Sequence, residues 1–329
     1  MVEPRRVQFR YMAPPTAFIT GIGGQDGSYL AELLLAAGYR VVGAVRPGWN
    51  DHAGNLAQVR HSIEVVELQL ESSIAVDEVV AAVKPSAVFH LAADSFVADL
   101  GGSGVDAVVA MADNLFTAVR RGAPEAVVVN AASAEIFGDA ASAPQSEMTP
   151  VAPCTPYGEA KALVFERVQQ LRNSGHLRAS SAILFNHESP RRPERFVSMK
   201  VARAAAAIAA GQQDELELGS LESRRDWSHA MDSVHAMKLM AESWNAEDFV
   251  IASGISHSVG DVVEVAFAAM GLDWRRHVRL SAQFARPAES VERRGDSTRI
   301  RKALGWMPTI SFNEMIVEMV VSEQARLAQ

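Results

Sequence analysis

The 329-residue chain contains a single cysteine, Cys154, so it cannot form a disulfide within the chain. The same scarcity excludes a metal cluster built from cysteines, and the nine histidines show no metal-ligand spacing. No apolar run is long enough to span a bilayer. The formal net charge of -8 argues against general nucleic-acid binding through bulk electrostatics.

The first residues are basic and rich in proline, and they lack the apolar core of a signal peptide. We expect residues 1–16 to be a disordered lead and the protein to be cytoplasmic.

A short apolar segment at residues 17–20 runs directly into Gly21, Gly24 and Gly27, and an amphipathic helical pattern follows. Glycines in a strand–turn–helix unit allow a pyrophosphate to approach the backbone, and the helix N-terminus favours its negative charge. The pattern therefore predicts a dinucleotide-binding turn. A purely structural turn is the alternative.

The next strand, at residues 40–45, ends in Arg46. An acidic residue at this point would bind the ribose 2′-hydroxyl of NAD, whereas an arginine suits the 2′-phosphate of NADP. We therefore predict NADP as the cofactor. An exposed arginine without a ligand is the alternative.

Further buried strands are predicted near residues 64–68, 87–91 and 126–130, with helices near residues 76–83, 201–210, 257–270 and 312–327. Repeated strand–helix units predict an α/β, Rossmann-like, doubly wound parallel sheet. Because ligands bind outside the carboxyl ends of such strands, residues 21–27, 92–95 and 133–135 should meet at one edge.

Tyr157 and Lys161 lie four residues apart after Thr155 and Pro156, which suit a helix start. A phenol must lose about 3 pKa units, or about 4 kcal/mol, to act as a base at neutral pH. One ammonium roughly 4 Å away supplies about 4 kcal/mol at an effective dielectric constant of ~20. We therefore expect Lys161 to lower the pKa of Tyr157. The spacing alone is weak, because many surface helices carry it by chance.

Taken together, these motifs resemble the extended short-chain dehydrogenase/reductases and, within them, the GDP-mannose 4,6-dehydratase family. Besides residues 155–161, the matching stretches are residues 19–32, 183–192, 225–227, 285–289 and 304–306. The Asn-His-Glu-Ser-Pro-Arg run within residues 183–192 is the most specific of them. The resemblance implies an NADP-binding domain at residues 17–185 with about 228–256. It also implies a smaller, interleaved C-terminal substrate lobe at residues 186–227 and 257–329.

The resemblance further implies a nucleotide-sugar 4,6-dehydratase in which Tyr157 removes the C4 hydroxyl proton, assisted by Ser133 and Lys161. Glu135 would then remove the C5 proton and assist loss of the C6 hydroxyl. A surface glutamate is the alternative for Glu135. The alternatives for the function are a related GDP-sugar dehydratase for another hexose or a heptose, a 4-reductase, an epimerase, or a non-catalytic NADP or sugar-nucleotide sensor.

By the same resemblance, the cofactor would contact Tyr157 and Lys161 together with Gly21, Gly24, Gln25, Asp26, Gly27, Arg46, Leu91 and Ala92. The nucleotide-sugar would contact Asn186, Lys200, Arg225, Arg286 and Glu289. The arginines at positions 191, 192 and 195 extend a basic set suited to a diphosphate.

Several positions depart from the family pattern. Pro47 stands in place of a second arginine, the loop at residues 47–56 is shortened, and Gln69 replaces an aspartate near the adenine. Residues 97–105 also differ near the sugar, so a sugar other than mannose is an alternative. We expect a homodimer or a homotetramer. The shortened loop should affect which of these two assemblies the protein adopts.

Overall fold

The computed structural model describes residues 14–51, 54–93, 102–139, 142–284 and 292–328. Most of the predicted disordered lead lies outside these ranges, as do residues 94–101, Arg286 and Glu289. The strands are β1 (Thr16–Thr20), β2 (Arg40–Val45), β3 (Glu64–Glu67), β4 (Ala87–His90), β5 (Val127–Ser133), β6 (Arg178–Leu184), β7 (Asn186–Glu188), β8 (Leu216–Leu218), β9 (Arg224–His229), β10 (Phe249–Ile251), β11 (Ser256–Ser258) and β12 (Val278–Leu280). The α-helices are α1 (Gln25–Ala36), α2 (Ser73–Val83), α3 (Gly102–Gly122), α4 (Pro156–Asn173), α5 (Val197–Ala209), α6 (Ala230–Glu242), α7 (Val259–Ala269), α8 (Thr298–Leu304) and α9 (Phe312–Leu327).

Seven of the strands form one sheet in the order β10-β6-β5-β4-β1-β2-β3. Every neighbouring pair in this sheet is parallel. A parallel sheet needs cover on both faces, which explains why its central strands are apolar along nearly their whole length.

Helices cover both faces of this sheet. On one face α1 and α6 pack through side chains such as Leu30, Leu34 and Met237, all fully buried. On the other face α2, α3 and α4 contribute side chains such as Leu115 and Val164. This arrangement confirms the predicted Rossmann-like, doubly wound α/β fold.

Two elements of the sheet layer were not predicted, α3 and β6. Glycines bound α3 at both ends, and two serines interrupt the apolar pattern of β6. The polar groups of one of these serines have partners: Ser181 N donates to Asp248 Oδ1 at 2.8 Å, and Asn130 Nδ2 donates to Ser181 Oγ at 3.4 Å. The buried Ser180 hydroxyl has no hydrogen-bond partner among the described residues. Buried polar groups that are satisfied in this way are invisible to a hydrophobicity pattern.

The helices α5, α7 and α9 share a separate core, in which Val201, Phe267, Met319 and Trp227 are buried. Trp227 is only 3% exposed. Beside this core lie a three-stranded sheet, β11-β9-β7, and the parallel pair β12-β8. In the described ranges no helix combines the length and the apolar character needed to cross a membrane.

Candidate active site

The turn between β1 and α1 is shaped by glycines. A larger residue at these positions would force neighbouring atoms to move. Gly21 has φ of +75°, and a Cβ there would lie 3.0 Å from Ala92 N. A Cβ on Gly27 would lie 2.4 Å from the Gly21 carbonyl oxygen. Gly24, the N-cap of α1, has no side chain to accept the first-turn N–H groups. The turn therefore presents backbone N–H groups and the positive end of a helix dipole, as a pyrophosphate requires.

One cleft beside this turn, which we call the adenosine cleft, has a volume of about 820 Å³. Arg46 lies in its wall, as predicted, and Gln69 lies there as well. Trp49 also faces this cleft and packs against the turn, since a Cβ on Gly23 would lie 2.4 Å from the indole ring. Arg195, which the sequence analysis placed with the substrate diphosphate, lines the adenosine cleft instead.

A second cleft of about 350 Å³, the reaction cleft, continues from the first, because Gly21, Gly24, Ala92 and Ala93 line both. All of the predicted catalytic residues and most of the predicted cofactor residues border it. The predicted residues in its wall are Gly21, Gly24, Gln25, Asp26, Gly27, Leu91, Ala92, Ser133, Glu135, Tyr157, Lys161 and Asn186. The two clefts together form a groove whose volume and lining residues suit a dinucleotide and a second ligand.

Tyr157 and Lys161 are positioned by the first turns of α4. Thr155 is its N-cap and accepts a hydrogen bond from Gly158 N at 3.0 Å, and Pro156 occupies the first turn. Lys161 Nζ donates to the Ala131 carbonyl oxygen at 2.7 Å and lies 5.8 Å from the Tyr157 ring centroid. Burial lowers the pKa of Lys161 to about 8, although Asp26 acts in the opposite direction.

The pKa of Tyr157 does not follow the sequence-based expectation. Burial raises this pKa to about 12, while a side-chain hydrogen bond with Ser133 opposes the rise and the negative charge of Glu135 adds to it. The net lowering of the phenol's pKa that the spacing suggested is therefore not found, because the cost of desolvating the phenolate is the largest effect on this pKa.

Ser133 and Glu135 are delivered by the carboxyl end of β5 and the 3₁₀ turn Ala134–Phe137 that follows it. Ser133 Oγ accepts a hydrogen bond from Glu135 N at 3.3 Å. The Glu135 carboxylate forms an ion pair with Arg293, which also lines the reaction cleft. The sequence analysis did not identify Arg293, because it lies 158 residues away in a segment without a recognisable motif.

Asp26 and Gln25 connect the glycine turn to the strand β7 and the turn after it. His187 Nε2 lies 2.9 Å from Asp26 Oδ2, and Ser189 Oγ donates to Gln25 Oε1 at 2.8 Å. Burial opposes ionisation of Asp26, but His187 and Arg192 hold the pKa of its carboxyl below the usual value. Burial lowers the pKa of His187, and Asp26 more than reverses this, so the net shift is upward. His187 and Arg192 both line the reaction cleft, and the Asn-His-Glu-Ser-Pro-Arg run was the signal that could have identified them.

The chain matches a family model described as GDP-mannose 4,6 dehydratase over residues 18–319. The chain belongs to this family. It is 36% identical to a GDP-mannose 4,6 dehydratase of Arabidopsis thaliana over 344 residues, which cover 100% of this chain and 89% of the relative. It is also 36% identical to the human GDP-mannose 4,6 dehydratase, with 92% of this chain and 90% of the relative covered.

Among solved structures, the fold is similar to that of a dTDP-glucose 4,6-dehydratase from Streptomyces venezuelae. The TM-score is 0.84 at 21% identity, with 95% of this chain and 98% of the other covered. The similarity supports the Rossmann-like, doubly wound fold described above.

Within this family framework, the predicted substrate residues are only partly brought together. Asn186 lines the reaction cleft. Lys200 Nζ donates to the Glu217 carbonyl oxygen at 2.8 Å, and Arg225 Nη1 donates to the Arg224 carbonyl oxygen at 2.7 Å. Neither cation lines either of the two clefts within the described residues. Arg286 and Glu289 lie outside the described ranges.

Proposed function

We propose that this protein is an NADP-dependent GDP-mannose 4,6-dehydratase, a hydro-lyase that converts GDP-D-mannose to GDP-4-keto-6-deoxy-D-mannose. The observation that carries the proposal is the convergence of Glu135 with Ser133, Tyr157 and Lys161 on one cleft beside the glycine turn. A simple alcohol oxidation needs only the phenol, the hydroxyl and the ammonium. The additional carboxylate supplies the base that an elimination requires.

The groove fits NADP. The tight turn at Gly21 and Gly27, where a Cβ would run into backbone atoms, suits the pyrophosphate, and Arg46 in the adenosine cleft suits the 2′-phosphate. Lys161 would hold the nicotinamide ribose. When bound, NADP would supply a reversible acceptor for the hydride that leaves C4 of the hexose and returns to C6, so no external reductant would be consumed.

The first half of the reaction depends on Tyr157. Its phenol oxygen takes the proton of the C4 hydroxyl, and Ser133 hydrogen-bonds the same hydroxyl and orients it. The raised pKa of Tyr157 shows that the phenolate needs positive charge nearby in the loaded groove. Lys161 is the fixed cation beside it, 5.8 Å from the ring centroid.

The second half depends on Glu135. The C4 ketone makes the C5 proton more acidic, and the Glu135 carboxylate removes it. The C6–O bond then breaks, and the departing oxygen takes the proton from Glu135 and leaves as water. As the hydride returns to C6, C5 must gain a proton, and this balances the proton that Tyr157 took from the C4 hydroxyl, so the phenolate is restored. Tyr157 thus acts at C4 of the hexose, and Glu135 acts at C5 and at the oxygen on C6.

Purified protein with NADP should release water from GDP-mannose without added reductant, and mass spectrometry of the nucleotide-sugar measures this directly. A panel of GDP-, UDP-, CDP- and dTDP-sugars, including a heptose, tests the sugar, because residues 97–105 depart from the family pattern. Stoichiometric consumption of NADPH would indicate a 4-reductase, and an isomer of unchanged mass would indicate an epimerase. Binding of a GDP-sugar without turnover would indicate a sensor.

We also propose the domain boundaries stated above and a homodimer or homotetramer in the cytoplasm. The pairing of β10 with β6 and the packing of α6 against α1 support the assignment of residues 228–256 to the cofactor domain. The separate core of α5, α7 and α9 supports the second lobe. Sedimentation equilibrium with and without NADP tests the oligomeric state.

A further inference from the structure

The proposed reaction uses Glu135 as a base but gives no role to the arginine paired with it. Arg293 Nη1 contacts Glu135 Oε1, and both side chains are largely buried, at 14% and 22% exposure. Both residues line the reaction cleft. An arginine placed against the carboxylate that must accept a proton requires an explanation.

The backbone that carries Arg293 is fixed by hydrogen bonds to Asp226 and Gln145. Asp226 N donates to the Arg293 carbonyl oxygen at 3.0 Å, and Arg294 N donates to Gln145 Oε1 at 3.0 Å. Gly295 N donates at 3.1 Å to the Asp226 carboxylate, which is fully buried. Arg293 therefore reaches the cleft from an anchored segment rather than from a loose loop.

Glu135 has a different origin, the turn after β5 in the large sheet. The ion pair thus joins the two sides of the cleft, with the carboxylate on one side and the guanidinium on the other. An arginine paired with a carboxylate fixes its orientation through directed N–H donors. The same pair restricts the rotation of the glutamate side chain, which a short 3₁₀ turn alone does not.

The chemistry of a guanidinium limits what Arg293 can do. Because it stays protonated in proteins, it cannot itself carry the proton from C5 to the departing oxygen. The proton that leaves C5 must therefore pass through Glu135 and not through Arg293.

We propose that Arg293 is a positioning residue for Glu135, which orients its carboxylate in the cleft for proton transfer between C5 and the leaving hydroxyl. This inference rests on the proposed function. In the step concerned, the C5–H electron pair becomes the second C5–C6 bond, and the C6–O bond breaks. Hydroxide leaves with the proton from Glu135 as water, which restores the carboxylate beside Arg293.

The first test compares Arg293→Met, Arg293→Gln and Arg293→Lys for water release from GDP-mannose. The neutral variants should lower kcat by about 100-fold with KM changed by less than about threefold, because the lost interaction acts on the chemical step. Arg293→Lys should have a kcat at least about tenfold above that of the neutral variants. Lysine restores the positive charge, although it lacks the planar set of N–H donors of a guanidinium. Thermal unfolding and NADP binding identify any variant that fails to fold.

Arg294 provides a matched control in the same segment. Its side chain is 35% exposed, pairs with Glu292, and does not line either cleft. Arg294→Met should therefore keep kcat within about twofold of the unsubstituted protein, as expected for an exposed ion pair.

A double-mutant cycle separates action through Glu135 from direct contact with the sugar. If Arg293 acts through Glu135, adding Arg293→Met to Glu135→Gln should cause no further loss of elimination. Independent, multiplicative losses accompanied by a weaker Kd for GDP-mannose would instead show that Arg293 binds the sugar, and the inference would fall.

The outcomes for the function and for the inference are distinct. If the unsubstituted protein releases no water from any GDP-sugar, the proposed function fails and the positioning role fails with it. If the unsubstituted protein turns over and the neutral variants match it, the function stands and only the positioning role is rejected.

Discussion

One wall of the reaction cleft is made of turns at the ends of parallel strands and the start of α4, and carries Gly21, Gly27, Tyr157 and Lys161. The rest of the cleft, which we call the second wall, is made of segments that follow β6 and carry Asn186, Arg192 and Arg293. The backbone of the first wall is determined locally, because the glycine turn and the Thr155 cap shape it within a few residues. The second wall depends on contacts between segments far apart in the chain. The residues that line the cleft therefore have two origins. Those of the first wall are positioned by local sequence, and those of the second wall are positioned by tertiary packing.

The largest effect should come from the locally encoded wall. Tyr157→Phe removes the group that takes the C4 proton, and kcat should fall by about 10³-fold, within the range for general acid–base catalysis. Mass spectrometry of the nucleotide-sugar measures the rate, and fluorescence titration should show nearly unchanged NADP binding. Tyr39→Phe, remote from the clefts, should retain full activity. Substantial turnover by Tyr157→Phe would show that this wall does not begin the reaction.

The glycine turn is the next most sensitive part. In Gly27→Ala the added methyl would lie 2.4 Å from the Gly21 carbonyl oxygen and 2.6 Å from Ile22 Cα, both backbone atoms. We expect the Kd for NADP to rise by about 100-fold, because the turn must open where the pyrophosphate approaches. At Gly122 a Cβ would meet nothing closer than 3.4 Å, so Gly122→Ala is the matched control. Equal NADP affinity in the two variants would contradict the placement of the cofactor.

Arg46 tests the choice of cofactor, at a smaller magnitude. Arg46→Ala should weaken NADP binding by about tenfold and leave NAD binding within about twofold, because only NADP carries the 2′-phosphate. Arg120→Ala, which changes a surface arginine at the end of α3, should leave the ratio of the two Kd values unchanged. If Arg46→Ala weakens both cofactors equally, Arg46 does not read the 2′-phosphate.

The mildest test uses pH. Because burial lowers the pKa of Lys161 from 10.5 to about 8, the folded protein loses this charge between pH 8 and 10.5 while the unfolded chain keeps it. The cost of burying the charge is fully present below pH 8 and is relieved as pH rises through that window. The Kd for NADP should rise above about pH 8, by at most about tenfold per pH unit, since the ammonium is needed to hold the ribose.

Lys161→Met should abolish the rise in Kd while leaving any dependence that comes from other groups. Its free energy of unfolding should also lack the relief that the unsubstituted protein gains at high pH. An identical pH dependence of Kd in both proteins would assign the titration to a different group.

The contrast between the two walls also explains how far the sequence could be interpreted. The ends of β1, β2 and β5 and the start of α4 were located from glycines, a threonine–proline start and apolar runs, all of which act locally. Arg293 could not be located, because nothing within its own segment marks it, and only the anchoring through Asp226 and Gln145 brings it to Glu135. Lys200 and Arg225 were placed by resemblance alone, and in the structure they bond to backbone carbonyls outside the two clefts.

The pKa of Tyr157 shows a further limit of a pairwise argument from sequence. The spacing of Tyr157 and Lys161 suggested that the ammonium would dominate, but the burial of both groups raises one pKa and lowers the other. Desolvation is a property of everything that surrounds a group, and no motif of two residues contains it.

The continuity of the two clefts has a consequence for how the protein turns over. A dinucleotide lying along the whole groove would pass from Trp49 and Arg195 at one end to Tyr157 at the other, bordered by both lobes. Since the proposed reaction returns the hydride to the sugar, NADP is regenerated in every cycle and does not need to be replaced from solution. Such a coenzyme can stay bound through successive turnovers, and only the nucleotide-sugar must enter and leave the groove.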